Sequence, residues 1–150
     1  MYDDVVTLFN RYENTAGDVL WYPSVIKNVN LLVDKGSVIA RYGEDSRDEA
    51  ILNVRYHFAG VDKMVGNKKW IAPKQWNGQA EKPEFDTLTF NAGESFDFFM
   101  LGEWDNTTPI PDSEYKNGFY NHMKKQKDYV FAITSVSCFK LIPHFEITGK

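Results

Sequence analysis

The sequence predicts an all-β, mainly antiparallel protein: a β-barrel or sandwich of about seven strands, with long loops and one short helix. Three observations carry this expectation. Strand-period alternation recurs along the chain and is cleanest in Ala50–Phe58, where Leu52, Val54, Tyr56 and Phe58 oppose Asn53, Arg55 and His57. Aromatic residues make up 15% of the chain, and aromatics fit pleated, half-buried surfaces. A single segment carries a helical period, too little crossover helix for a parallel α/β sheet.

The elements follow in order. Val6–Tyr12 reads as a first strand, and "ENTAGD" after it as a turn. A long extended stretch runs from Val19 to about Val33 with apolar residues on both sides, Trp21, Val25, Val29, Leu31 and Val33 against Tyr22, Ile26 and Leu32. Part of that strand is therefore expected to be covered on both faces. Asp34–Glu49 is polar and charged, holds two glycines, and reads as a long loop. Ala59–Glu84 is irregular, with "KKWIAPKQW" as a short edge strand broken at Pro73.

"DTLTF", "NAGE" and "SFDFFMLGEW" then read as strand, turn and strand, with Phe96, Phe98 and Met100 on one face. Asp112–Asp128 is the helix. Pro111 with Asp112 or Ser113 supplies the start, Tyr115, Phe119 and Met123 recur every four residues, and lysines gather at the far end. Gly118 weakens that helix. "YVFAITSVS" and "FKLIPHFEIT" close the chain as two strands joined near Cys138–Lys140, with Phe145 and Ile147 alternating against His144, Glu146 and Thr148.

The chain has 150 residues, which is one domain, 1–150, by the usual length prior. A net charge of −4 argues against general binding to nucleic-acid backbones. The short basic cluster Lys124, Lys125 and Lys127 reads as a solvated helix end. One cysteine, Cys138, permits no intrachain disulfide. The start is acidic, and no apolar run approaches the roughly 20 residues of a membrane span. The expectation is a soluble intracellular protein with no membrane contact.

Catalytic chemistry finds little footing. His57, His122 and His144 lack metal-site spacing, so neither a metal nor a cofactor is expected. A Cys138–His144 nucleophile and base would need an orienting third group and a cleft, which nothing signals. The acidic run Glu44, Asp45, Asp48, Glu49 lacks the alternation of a calcium loop. The reading is of a protein that is not an enzyme. Trp21 and Trp104 fall in strand patterns and read as core. Trp70, Trp76, Phe119 and Tyr120 are candidate subunit-interface residues, because exposed aromatics are ordinary in interfaces.

The order of several aromatic segments carries a resemblance. "TLFNRY", "LWYPSVIKNVNLL", "WIAPKQW", "FNAGESFDFFMLGEW" and the ending "FAITSVSCFKLIPHFEITGK" resemble a family of small structural proteins of tailed bacteriophages and prophages of Gram-positive bacteria. By order of elements the chain also resembles head–tail connectors of the stopper type. That resemblance implies a small β-barrel at the neck of the virion, formed in the host cytoplasm during assembly. It implies a cyclic homo-oligomer beneath the portal and adaptor that docks tail proteins and retains packaged DNA without reading its sequence. Tail terminator and minor capsid protein are the alternative positions, and a small ligand-binding β-barrel the alternative class. In stoppers a loop between the second and third strands projects into the channel. The matching segment here is Asp34–Glu49, with Lys35, Arg41, Tyr42, Glu44, Asp45 and Arg47 as candidate channel residues.

Overall fold

The computed structural model describes residues 2–34 and 49–150, the Asp34 side chain excepted. Strand β1 (Asp4–Glu13) turns into the long β2 (Val19–Asp34), which β3 (Glu49–Arg55) follows. Four short strands come next: β4 (His57–Ala59), β5 (Asp62–Val65), β6 (Lys68–Trp70) and β7 (Thr87–Leu88), with helix α1 (Pro73–Asn77) between the last two. Strands β8 (Phe98–Leu101) and β9 (Ile110–Pro111), helix α2 (Phe119–Gln126), and strands β10 (Val130–Phe139) and β11 (His144–Gly149) complete the chain.

Strands β1, β8, β10, β11, β3 and β2 pair in that order, and β2 pairs again with β1. Six strands thus close a barrel, every pairing antiparallel, with β9 added beside β2 at Leu20 and Trp21. Of the barrel and the sandwich expected from the sequence, the barrel is the fold. Closure staggers the strands, so that neighbours on the two edges overlap different stretches of one strand. The first half of β2 pairs with β1 up to Val29, and Asn30–Asp34 pairs with β3. The change occurs at a bulge, where Asn28 takes φ 58° and the register slips between Asp4 and Val5. The Asp4 carboxylate accepts the Leu31 N–H at 2.9 Å beside it. Strand β10 does the same, pairing with β8 through Val130–Ala132 and with β11 beyond a register shift between Ile133 and Ser135.

Val6, Leu8, Leu52, Val54, Phe99, Phe131, Phe145 and Ile147 fill the barrel core. The small sheet β4–β7 adds Val65 and Leu88 to it, and Trp70 packs on Phe145 at 5.3 Å. The outward face of β1 is covered as well. Phe9 stacks on Phe98 at 4.8 Å, and α2 lays Phe119 and Met123 over them. Ring pairs at these separations add to plain burial. Gly149 ends β11 where no side chain fits: a Cβ there would lie 2.8 Å from the Phe131 Cβ.

Three expectations about local structure are corrected. The helix begins at Phe119 rather than Asp112. Gly118 takes φ 88°, and Asp112 reaches across it to accept the Phe119 N–H at 2.8 Å. Residues 87–101 are not a hairpin: β7 pairs in parallel with β6, whereas β8 joins the barrel. The stretch around Pro73 is a short strand followed by a helix, with the proline at its first turn, where its missing N–H costs nothing.

The departure from β7 to β8 is held by one buried carboxylate. Asp97 is fully buried and accepts three hydrogen bonds, from Arg11 N (2.8 Å), Asn10 Nδ2 (2.8 Å) and Asn91 N (2.9 Å). Asn10 Nδ2 also donates to Thr89 O at 2.7 Å. Burial raises the Asp97 pKa from 3.8 to about 7, against the pull of those three donors.

Two outcomes follow from this packing. Gly149→Ala is expected to lower stability by about 1–3 kcal/mol, because the new methyl overpacks against Phe131 and Phe99. Urea unfolding measures it, and an unchanged midpoint would contradict the contact. For Asp97 the folded state binds its proton more tightly than the unfolded chain. The resulting stability is complete below about pH 4 and lost as pH rises through about 7. A shift of that size corresponds to about 4 kcal/mol. Thermal melts between pH 4 and 8 should therefore fall with pH, and Asp97→Asn should lose that slope.

Candidate functional site

Between its pairing with β9 and its pairing with β3, one edge of β2 has no strand beside it among the described residues. Pro23 lies in that stretch, and a proline suits an edge because it has no N–H to leave unpaired. A cleft of about 650 Å³ opens there. Its floor is Tyr22, Pro23 and Ser24 of β2, Trp76 of α1 closes one end, and the segment Lys82–Thr87 forms the outer lip. Thr107 and Pro109 add a side wall from the approach to β9. A volume of this order is typical of ligand pockets.

The floor is largely apolar but holds one converging polar pair. Lys68 Nζ, from β6, donates to Ser24 Oγ at 2.7 Å. Burial lowers the Lys68 pKa, opposed by the nearby Asp86 carboxylate. Burial also raises the Tyr22 hydroxyl, helped by Tyr12. Ser24 is 4% exposed, so the pair forms a polar floor rather than an accessible nucleophile with its base. On the lip, Phe85 is 87% exposed and stands between Glu84 and Asp86.

A second feature lies at the β10–β11 turn. The β10–β11 turn carries Leu141, 98% exposed, and Ile142, 72% exposed, above a half-exposed Phe139. The turn is rigidly based. Tyr56 OH donates to Phe139 O at 2.8 Å, Tyr56 N donates to Pro143 O, and the His144 ring stacks on Phe139 at 4.8 Å. Exposed Phe58 packs edge-on against Tyr56 at 5.5 Å.

The residues singled out from the sequence divide. Lys35, Arg41, Tyr42, Glu44, Asp45 and Arg47 lie outside the described residues. The interface expectation for Trp76 and Phe119 is corrected, since both are core. Trp76 is 2% exposed and donates from Nε1 to Arg11 O at 2.9 Å, and Phe119 is buried under α2. Trp70 is half-buried on the barrel core with Lys63 over its ring, and Tyr120 is half-buried against Phe96 and Phe98. Trp21 is core as expected, and Trp104 packs against the same cluster. Cys138 Sγ faces the Tyr56 hydroxyl at 3.7 Å, while His144 is the strand partner of Phe139, so the imagined Cys138–His144 pair does not form.

The cleft itself was not foreseen. Its residues come from β2, β6, α1 and two loops, and no local pattern joins them. The one signal in the sequence was Pro23 inside an otherwise continuous strand pattern.

A profile described as a family of unknown function, DUF6751, matches residues 1–150. No curated protein and no solved structure gives a significant match. With its whole length covered, the chain belongs to the family of unknown function DUF6751.

Proposed function

We propose that this chain is a non-enzymatic structural subunit of a tailed-phage virion, a stopper-type connector in the neck that forms a ring between portal or adaptor and tail. The resemblance of its aromatic segments to phage structural proteins motivates the reading. The observation that carries it is the closed barrel, in which Asp34 of β2 and Glu49 of β3 are paired partners. In stopper-type connectors the channel loop falls between the second and third strands of such a barrel, and that order of elements supports the reading. The segment between Asp34 and Glu49 holds Lys35, Arg41 and Arg47 beside Glu44 and Asp45; the carboxylates would repel DNA phosphates, and the basic residues would attract them without reading sequence.

The apolar turn and the open cleft support the same reading, because a ring subunit needs two different side surfaces. The runner-up positions within the virion are tail terminator and minor capsid protein. The cleft at β2 favours one reading of another class, a small ligand-binding barrel, since it joins an apolar floor to a converging lysine and serine.

Phage particles provide the test. Peptides of this chain should be found in purified virions by mass spectrometry, and cryo-electron microscopy should place it in the collar below the portal. A phage lacking the gene should package DNA and then lose it, or fail to join tails. Normal infectious particles without the chain would overturn the proposal.

A further inference from the structure

The geometry points to a head-to-tail contact between copies of this chain, in which the β10–β11 turn of one copy seats Leu141 and Ile142 in the β2 cleft of the next. This deepens the collar reading and rests on it. Around the six-strand barrel, β10 and β11, which the turn joins, are three and two strands from β2. Turn and cleft are therefore built on different elements and are different surfaces of the molecule. The apolar knob of one copy can meet the hollow of a neighbour while its own hollow stays open to the next copy. A contact between two different surfaces repeats from copy to copy and closes into a ring when the rotation permits.

The chemistry of the two surfaces matches. The knob projects two aliphatic side chains, one nearly fully exposed. The hollow is lined by Tyr22, Pro23, Trp76 and Pro83, with exposed Phe85 on its lip. Charge sets the register. Lys140 precedes the two aliphatics on the knob. On the lip, Asp86 already acts on Lys68, which leaves Glu84 as the carboxylate to meet Lys140. Lys82 lies on the same lip, so only a register that keeps Lys140 away from it is favourable. The turn is built for display: its backbone is fixed by Tyr56 from below, so ordering it on contact costs little entropy.

Cysteine pairing tests the contact in the full chain. In a Cys138→Ser background, Leu141→Cys and Thr107→Cys are made separately, each at an exposed position. Under mild oxidation at high protein concentration, disulfide-linked dimers should form when the two variants are mixed and not with either alone. Leu141→Cys dimerising by itself would mean a turn-to-turn contact and would overturn the proposal, as would the absence of any mixed dimer. Charge exchange gives a second arm. Lys140→Glu should weaken association measured by sedimentation about tenfold or more, and adding Glu84→Lys should restore it. A loss without rescue would also overturn the pairing.

Virion analysis keeps the two levels apart. A collar built from this chain through other surfaces removes the knob-in-cleft contact and leaves the neck assignment standing. A chain absent from particles removes the neck assignment whatever the cysteines do.

Discussion

Strand β2 holds two partners in succession, and most of the molecule depends on that change. Up to Val29 it pairs with β1, and from Asn30 it pairs with β3. A strand that kept one partner would leave an open sheet with long edges, a template for unwanted pairing. The bulge at Asn28 bends β2 and shifts its side-chain parity by one. Before the bulge Ile26 points into the barrel, and after it Val29 does, three positions on rather than two or four. Asparagine is one of the few residues other than glycine that tolerates φ 58° at low cost. The same change of partner leaves the middle of β2 with an edge that has no strand beside it among the described residues, and the cleft opens there. Barrel closure and the candidate site are thus two results of one irregularity.

Two aspartates secure what the barrel does not. Asp112 accepts hydrogen bonds from Trp21 Nε1 at 2.9 Å and from Phe119 N, which ties β2 to the start of α2. It acts as a helix cap supplied from seven residues upstream, with Gly118 removing the side chain that would block it. Asp97 does the comparable work inside, fixing both sides of the 91–97 turn to β1 through Asn10 and Arg11. The two differ in exposure. Asp112 is half-buried, while Asp97 is fully buried. Asp97 therefore carries a desolvation cost that its three donors offset only in part. A geometry held this way is specific but pH-sensitive.

Legibility in the sequence followed the range of the interactions. The alternation of β3 and β11 was readable, because a strand with one face in a core writes its period into consecutive residues. Leu52, Val54, Phe145 and Ile147 are all core. The doubly apolar character of β2 was readable too, though its cause was not, since a bulge and a second covering layer leave the same pattern. The start of α2 misled because Tyr115, Phe119 and Met123 do share one cluster. Tyr115 reaches it from an extended backbone, at φ −116°, so helical spacing was met without a helix. Trp76 misled for a related reason. A tryptophan in an irregular, lysine-containing segment looks exposed, yet α1 folds back to bury it against Tyr12, where Arg11 O satisfies its N–H. The cleft was illegible because its residues meet only through tertiary structure.

The turn Lys140–Pro143 remains the least economical part of the fold. Connections between antiparallel strands are ordinarily made by glycine, asparagine, aspartate or serine, which supply the needed backbone angles and face water without penalty. This one uses leucine and isoleucine, and they stand out in solvent. Folding does not require them, for the hairpin is already fixed beneath by Tyr56, Phe139 and Pro143. Nor do they fill the barrel, which Phe145 and Ile147 of the next strand already pack. Apolar side chains that contribute nothing to the core and follow the half-exposed Phe139 form a patch of the kind that chains keep for contact. Away from this turn, β2, β6 and α1 line an apolar cleft. The fold thus presents an apolar knob and an apolar cleft on different elements, the two unlike surfaces that the proposed head-to-tail contact uses.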